Sequence, residues 1–155
     1  MASQPQAALA GLTGMARRLV QDGAMTEEAA RKAVADSLQH KVSLATWLLD
    51  NSLADSSEVT RVAAEEFGMP MMDVAALNPT TIPQGLISEA LVTKHQVLPI
   101  FRRGKRLFVG IADPMQSGAL DEIKFHSNCL VDAVLVERGA LQRAIESLLN
   151  NMRNV

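Results

Sequence analysis

The sequence predicts an α+β chain: a four-short-helix bundle built from a degenerate 29-residue repeat, then a small mixed α/β subdomain with a three- to four-stranded sheet. Three observations predict it. "LVQDGAMTEEAARKAVADS" (19–37) aligns with "LLDNSLADSSEVTRVAAEE" (48–66) at a constant offset of 29. All but one of the six prolines and nearly all the strand signal follow residue 68. Within that second half, "LPIFRRGKRLFVGIADP" (98–114) sets two apolar, β-branched and aromatic runs on either side of Gly104, the signature of a tight hairpin. The expected organisation is a disordered tail over 1–10, a helical repeat subdomain over 11–68 and an α/β subdomain over 69–155.

Each repeat unit reads as a short helix, a turn and a capped helix. Leu19 aligns with Leu48, Val20 with Leu49, Thr26 with Asp55, and Ala33-Val34 with Val62-Ala63. Gly23 and Asn51-Ser52 are helix stops. Thr26, followed by Glu27 and Glu28, is an N-cap with acids in the first turn, and Asp55 or Ser56 plays that part in the second unit. Val59, Val62, Ala63 and Phe67 are expected on one inward face. One hairpin of helices cannot bury its apolar face alone, so the two pack together.

In the second half "MMDV" (71–74) reads as a short strand. Residues 83–95 contain a helix with Ser88 as its cap. The strand over 107–112 is apolar on both faces and is expected at the centre of its sheet, ending at Asp113-Pro114. "SGALDEIKFHS" is a helix with Leu120, Ile123 and Phe125 inward. Residues 130–137 form a strand, and 140–152 an amphipathic helix with Leu141, Ala144, Ile145, Leu148 and Leu149 on one stripe.

Composition bounds the function. A net charge of −2, one Trp and no Tyr argue against a broad nucleic-acid surface and base-stacking platforms. The single Cys129 excludes an intramolecular disulfide and a cysteine-rich metal site, and fits a reducing cytoplasm. No apolar run approaches a membrane span, and "MASQPQAALA" lacks the features of a signal peptide. His40, His95 and His126 have no metal-ligand spacing. Arg102, Arg103, Lys105 and Arg106 surround Gly104, but a phosphate loop would run into a helix and carry Ser or Thr after its lysine. These residues are expected on an exposed turn.

The 29-residue repeat, "EEFGMP", "HQVLPIFRRGKRLFVGIADP" and the downstream "LDEIKF" together resemble the N-terminal region of type IV pilus assembly ATPases of the PilB type, and are similar to type II secretion motors. The resemblance covers about residues 11–150. It implies a non-catalytic regulatory piece, with ATP, magnesium and homohexamer formation belonging to a downstream motor domain. It implies a cytoplasmic location at the inner-membrane face. It also implies partners: a PilZ-type adaptor protein and cytoplasmic parts of the inner-membrane pilus platform, with neither nucleic acid nor membrane insertion.

Members of that family often bind cyclic di-GMP through the duplicated helical unit, each unit opening with an Arg-Leu-Gly-like triplet. Here the openings are Gly14-Met15-Ala16 and Ser43-Leu44-Ala45. The arginine is absent twice and the close-approach glycine is alanine twice. Ser52 replaces one later glycine while Gly23 keeps the other, and Ser37 and Glu66 occupy the terminal Gln positions. Such a domain lacks the bidentate phosphate contacts that the ligand needs. Protein recognition is therefore the leading reading, with cyclic di-GMP sensing, through Arg17 and Arg18 as substitute anion contacts, as the alternative. The partner-binding candidates are Trp47 and the methionine cluster Met69, Met71 and Met72, since Trp is enriched at hot spots and Met adapts to varied surfaces.

Overall fold

The computed structural model describes residues 12, 14–75, 77, 82–83 and 85–153. The expected N-terminal tail lies outside them. The chain divides into two compact units, with the division between Gly68 and Met69.

Among the described residues of the first unit there are four helices: α1 (Gly14–Gln21), α2 (Glu27–His40), α3 (Leu44–Asp50) and α4 (Ser56–Phe67). Capping fixes where they begin. The Thr26 hydroxyl accepts from the Ala29 N–H, Ser43 from Thr46, and the Asp55 carboxylate from Glu58. Each satisfies one of the backbone donors that a helix start leaves unmatched. Gly23 and Ser52, 29 positions apart, both take positive φ (80° and 51°) where the short helices end. Leu19, Ala33, Leu48 and Val62 are fully buried. Phe67 departs from the expected inward face. It is the last helical residue before the C-cap Gly68, and it is 46% exposed.

Ion pairs join helices far apart in sequence. Arg18 pairs with Glu65 and, at 3.8 Å, with Glu66. Arg61 reaches Asp22 at 2.9 Å and Glu58 at 2.7 Å. The Arg18 guanidinium holds the Glu65 carboxyl below its ordinary range. Glu65 and Glu66, which local spacing leaves as a solvated pair, are thus part of this network.

The second unit holds α5 (Glu89–His95), the strands β1 (Leu98–Arg103) and β2 (Arg106–Ile111), α6 (Ser117–Ser127), β3 (Leu130–Leu135) and α7 (Arg138–Arg153). Ser88 caps α5 through the Leu91 N–H. Gly104, at φ 62°, turns the β1–β2 hairpin. β2 lies in the centre, antiparallel to β1 and parallel to β3. Its Leu107, Val109 and Ile111 are fully buried. The Asp113 carboxylate accepts from the Met115 N–H at 2.9 Å and forms the stop after β2. Gly110 has a packing reason: a Cβ there would stand 3.0 Å from Val136 Cγ2 and 3.3 Å from Ile100 Cδ1. α7 lays Leu141, Ile145 and Leu148 into the core.

Two expectations change. "MMDV" is not a strand. Met71 makes a single parallel bridge to Leu135, supported by Leu135 N–H to Pro70 O (2.8 Å) and Met72 N–H to Leu135 O (2.9 Å). Among the described residues, three strands and one bridge therefore stand where three to four strands were predicted. Phe125 is 83% exposed, because it lies about 200° around α6 from the buried Ile123.

α5 and α6 are joined by side chains. His95 Nε2 lies 2.8 Å from Glu122 Oε1, with Lys94 Nζ at 3.7 Å. The hydrogen bond from His95, more than the nearby Lys94 charge, lowers the Glu122 carboxyl below its ordinary 4.5. A lowered acid stabilises the fold above its unfolded value and loses that contribution as pH falls through the folded one. Glu122→Gln is therefore expected to lower the urea midpoint at neutral pH, and to lower it by less at a pH below the ordinary carboxylate range, where the lowered group begins to protonate. An equal deficit at both pH values would count against this pairing.

Candidate functional site

The first unit carries a cleft built by α2, the start of the chain into it, α3 and the turn after α3. The αL residue Lys41 ends α2, with its N–H bonded to Leu38 O and Ser37 O, and turns the chain directly into α3. That tight connection brings His40, the last residue of α2, against Trp47 of α3. Their rings stack at 4.5 Å with 27° between planes. Trp47 is half-buried, and its indole N–H is buried with no acceptor. Beside it is a cavity of about 280 Å³. Met25, Ala29, Ala33 and Leu53 supply apolar walls, and Lys32 with Asp36 closes a polar rim. Those two are ion-paired at 2.9 Å, so the rim carries no net charge. Leu53 is 45% exposed and extends the apolar surface outward. Asn51 Nδ2 donates to the Trp47 carbonyl at 3.0 Å and fixes the end of α3.

The positions where the resembling family contacts its dinucleotide are otherwise employed. Ala16 and Ala45 are 2% and 3% exposed, so their methyl groups fill the helical core. The Ser37 hydroxyl is buried and donates to Val34 O at 2.9 Å. Glu66 faces Arg18, whose guanidinium is also bound to Glu65. Arg17 is exposed.

The methionine cluster belongs to the second unit and is described apart from the cleft. Met71 is 46% exposed while Met69 and Met72 are half-buried. The main-chain bonds to Leu135 pin Met72 and leave the Met71 side chain outward. The basic hairpin residues Arg102, Arg103, Lys105 and Arg106 are all exposed. Local patterning did not reveal the His40–Trp47 stack or the Lys32–Asp36 rim. The i, i+4 spacing of the rim pair was a usable signal, and the stack needed the αL turn at Lys41.

The described residues form a small helical unit and a three-stranded α/β unit. Among the described residues no group of His, Cys, Asp or Glu is arranged to hold a metal ion, and no helix is long and apolar enough to cross a membrane. The MshEN domain family matches residues 67–155, and the chain belongs to that family.

The chain is homologous to the N-terminal region of PilB type IV pilus assembly ATPases. It is 36% identical over 140 residues to the type IV pilus assembly ATPase PilB of Pseudomonas aeruginosa, covering 90% of this chain and 25% of that protein. It is 28% identical to PilB of Acinetobacter baylyi, over 86% of this chain and 23% of the relative. The chain thus spans about a quarter of the length of the curated relatives it matches. Among solved structures, MshE with cdg has the same fold, with a TM-score of 0.68 and 16% identity over 88% of this chain and 99% of that one. The N-terminal domain of XpsE matches with a TM-score of 0.70 and 20% identity, over 86% and 92% of the two chains.

Proposed function

We propose that this domain is a non-catalytic docking module of a type IV pilus assembly motor. Its partner is a PilZ-type adaptor or a cytoplasmic part of the pilus platform. The observation that carries the reading is the cleft at Trp47. A half-buried indole stacked on His40, with an unmatched N–H and an apolar cavity beside it, fits the anchor of a protein interface. A buried donor without an acceptor costs about 1–3 kcal/mol. A partner carbonyl reached by a small turn of the ring would recover part of that cost. The cavity suits one inserted side chain better than a cyclic dinucleotide.

Kinship with the pilus ATPases supports the motor context, and the methionine segment offers a second contact for the same partner class. The competing reading is cyclic di-GMP sensing, favoured by the fold shared with MshE bound to cdg. Against it, Ala16 and Ala45 occupy the close-approach positions and Arg18 is already paired. Calorimetry separates the two readings. Titration with a purified PilZ-type protein is expected to give saturable heat, and titration with cyclic di-GMP none. Saturable cyclic di-GMP binding without adaptor binding would reverse the choice.

The same reading assigns ATP chemistry to the rest of the motor. No phosphate-loop pattern occurs in the 155 residues. The purified chain is expected to release no phosphate from ATP above the buffer rate, with or without magnesium. Steady release that disappears when a residue of this chain is mutated would refute it.

A further inference from the structure

We propose that the hairpin end of the β-sheet in the second unit is a separate docking surface. It would take an acidic, extended segment of a partner protein as an added strand alongside β1. This inference stands apart from the Trp47 cleft and does not depend on it.

The register of the sheet builds the surface. Phe101 pairs with Phe108, which pairs with Asp132. Arg103 pairs with Arg106, which pairs with Leu130. Directly paired residues share a face, and these two rows are two residues apart, so all six side chains project from one face of the sheet. The face is closed at its other end, where Leu141 of α7 would lie 3.6 Å from a Cβ on Gly110. It opens toward the turn. In β1 the first three residues are buried and the last three exposed, and β3 changes in the matching sense. Phe101 is 40% and Leu130 55% exposed. The Phe101 and Phe108 rings stack at 4.4 Å, forming a rigid apolar centre.

The edge of the sheet is available at the same place. The outer edge of β3 is bridged by Pro70–Met72 at Leu135, whereas β1 is the other edge strand and no strand pairs with its outer side among the described residues. Pro99, which has no N–H to offer, lies in the buried half of β1. In the exposed half, Phe101–Arg103, backbone groups alternate between β2 and the open edge, so the outward-facing ones remain for a new strand. Adding a strand there would match backbone groups and cover the stacked rings.

Charge selects the occupant. Four cations lie within five residues at the turn. The one acid on the open face, Asp132, is committed to Arg106 at 2.6 Å. The Arg102 Nε donates to Gly104 O at 2.7 Å, which ties this exposed side chain to the turn. Cations on an edge repel most strands. They attract a strand that carries acids beside Arg102 and Arg103. The segment that fits therefore has an apolar residue beside Phe101, followed by two acids.

The test uses the full 155-residue chain and a fluorescent peptide that repeats valine followed by aspartate and glutamate. The control peptide replaces the acids with lysine. The acidic peptide is expected to bind, to weaken with added salt, and to slow amide exchange at residues 101–103. Arg102→Gln/Arg103→Gln removes exposed charge and one exposed bond to Gly104 O, so its melting temperature is expected to stay close to the parent's while affinity falls about tenfold. Phe101→Ser is expected to lose binding as well. Undetectable binding of the acidic peptide overturns the proposal, as does equal affinity in the double variant. Protection confined to residues outside β1 also overturns it. If anionic phospholipid vesicles bind in an arginine-dependent way while the peptide does not, the surface belongs to a lipid headgroup and the strand proposal fails.

Discussion

Leu107→Ala is expected to destabilise the protein by about 2–5 kcal/mol, the range found when a fully buried leucine is truncated. Leu107 is 0% exposed. It sits in the central strand, opposite Arg102 on one side and Val131 on the other. The neighbouring strands are held by their own ladders, so the site cannot collapse around the missing atoms. A loss of this size is a large part of the 5–15 kcal/mol that typically separates folded from unfolded domains. Urea unfolding should show a lower midpoint with an unchanged slope. Phe125→Ala, by contrast, is expected to stay within about 0.5 kcal/mol of the parent protein, as surface substitutions do. If the two variants cost the same, α6 is oriented differently from the structure.

That contrast also shows how far the sequence could be read. In α6 the spacing of Ala119 and Ile123 defines the inward stripe, and Phe125 falls off it by angle. Its hydrophobicity alone suggested an inward place, and periodicity was the better guide. Phe67 is the opposite case. It keeps the angle of Ala63, but it is the last helical residue, where angle no longer ensures cover. The turn end of the hairpin was legible: once Gly104 and Lys105 form the turn, Phe101 must face Phe108, whereas the register shift between Pro99 and Phe101 was not. The Arg18–Glu65 and Arg61–Asp22 pairs were not, because residues 47 and 39 positions apart meet only after the helices pack. "MMDV" has strand composition, yet only one residue of it finds a bridging partner, because β-propensity expresses the neighbours a strand finds.

Trp47→Ala is expected to weaken adaptor binding by at least ~2 kcal/mol, or roughly thirtyfold in affinity, while leaving the domain folded. The folding cost has opposing parts. Truncation removes the stack with His40, worth about 0.5–1.5 kcal/mol for ring pairs of this kind, along with part of the apolar burial of the ring. It also removes a buried N–H that has no acceptor, and so relieves a penalty. The net loss should therefore fall below the ~3–5 kcal/mol typical of a fully buried aromatic truncated to alanine. Trp47→Phe isolates the N–H. It keeps an aromatic ring against His40 and breaks no intramolecular hydrogen bond, so stability should hold or rise slightly. Adaptor affinity should still fall if the partner supplies the missing acceptor. Melting temperature and calorimetric affinity, measured on both variants, distinguish an anchor from a packing residue. If Trp47→Ala stays folded and binds a confirmed adaptor as tightly as the parent protein, the cleft is not the docking site. The exposed Met71 would then be tested next, with Met71→Ser and Met72→Ser combined.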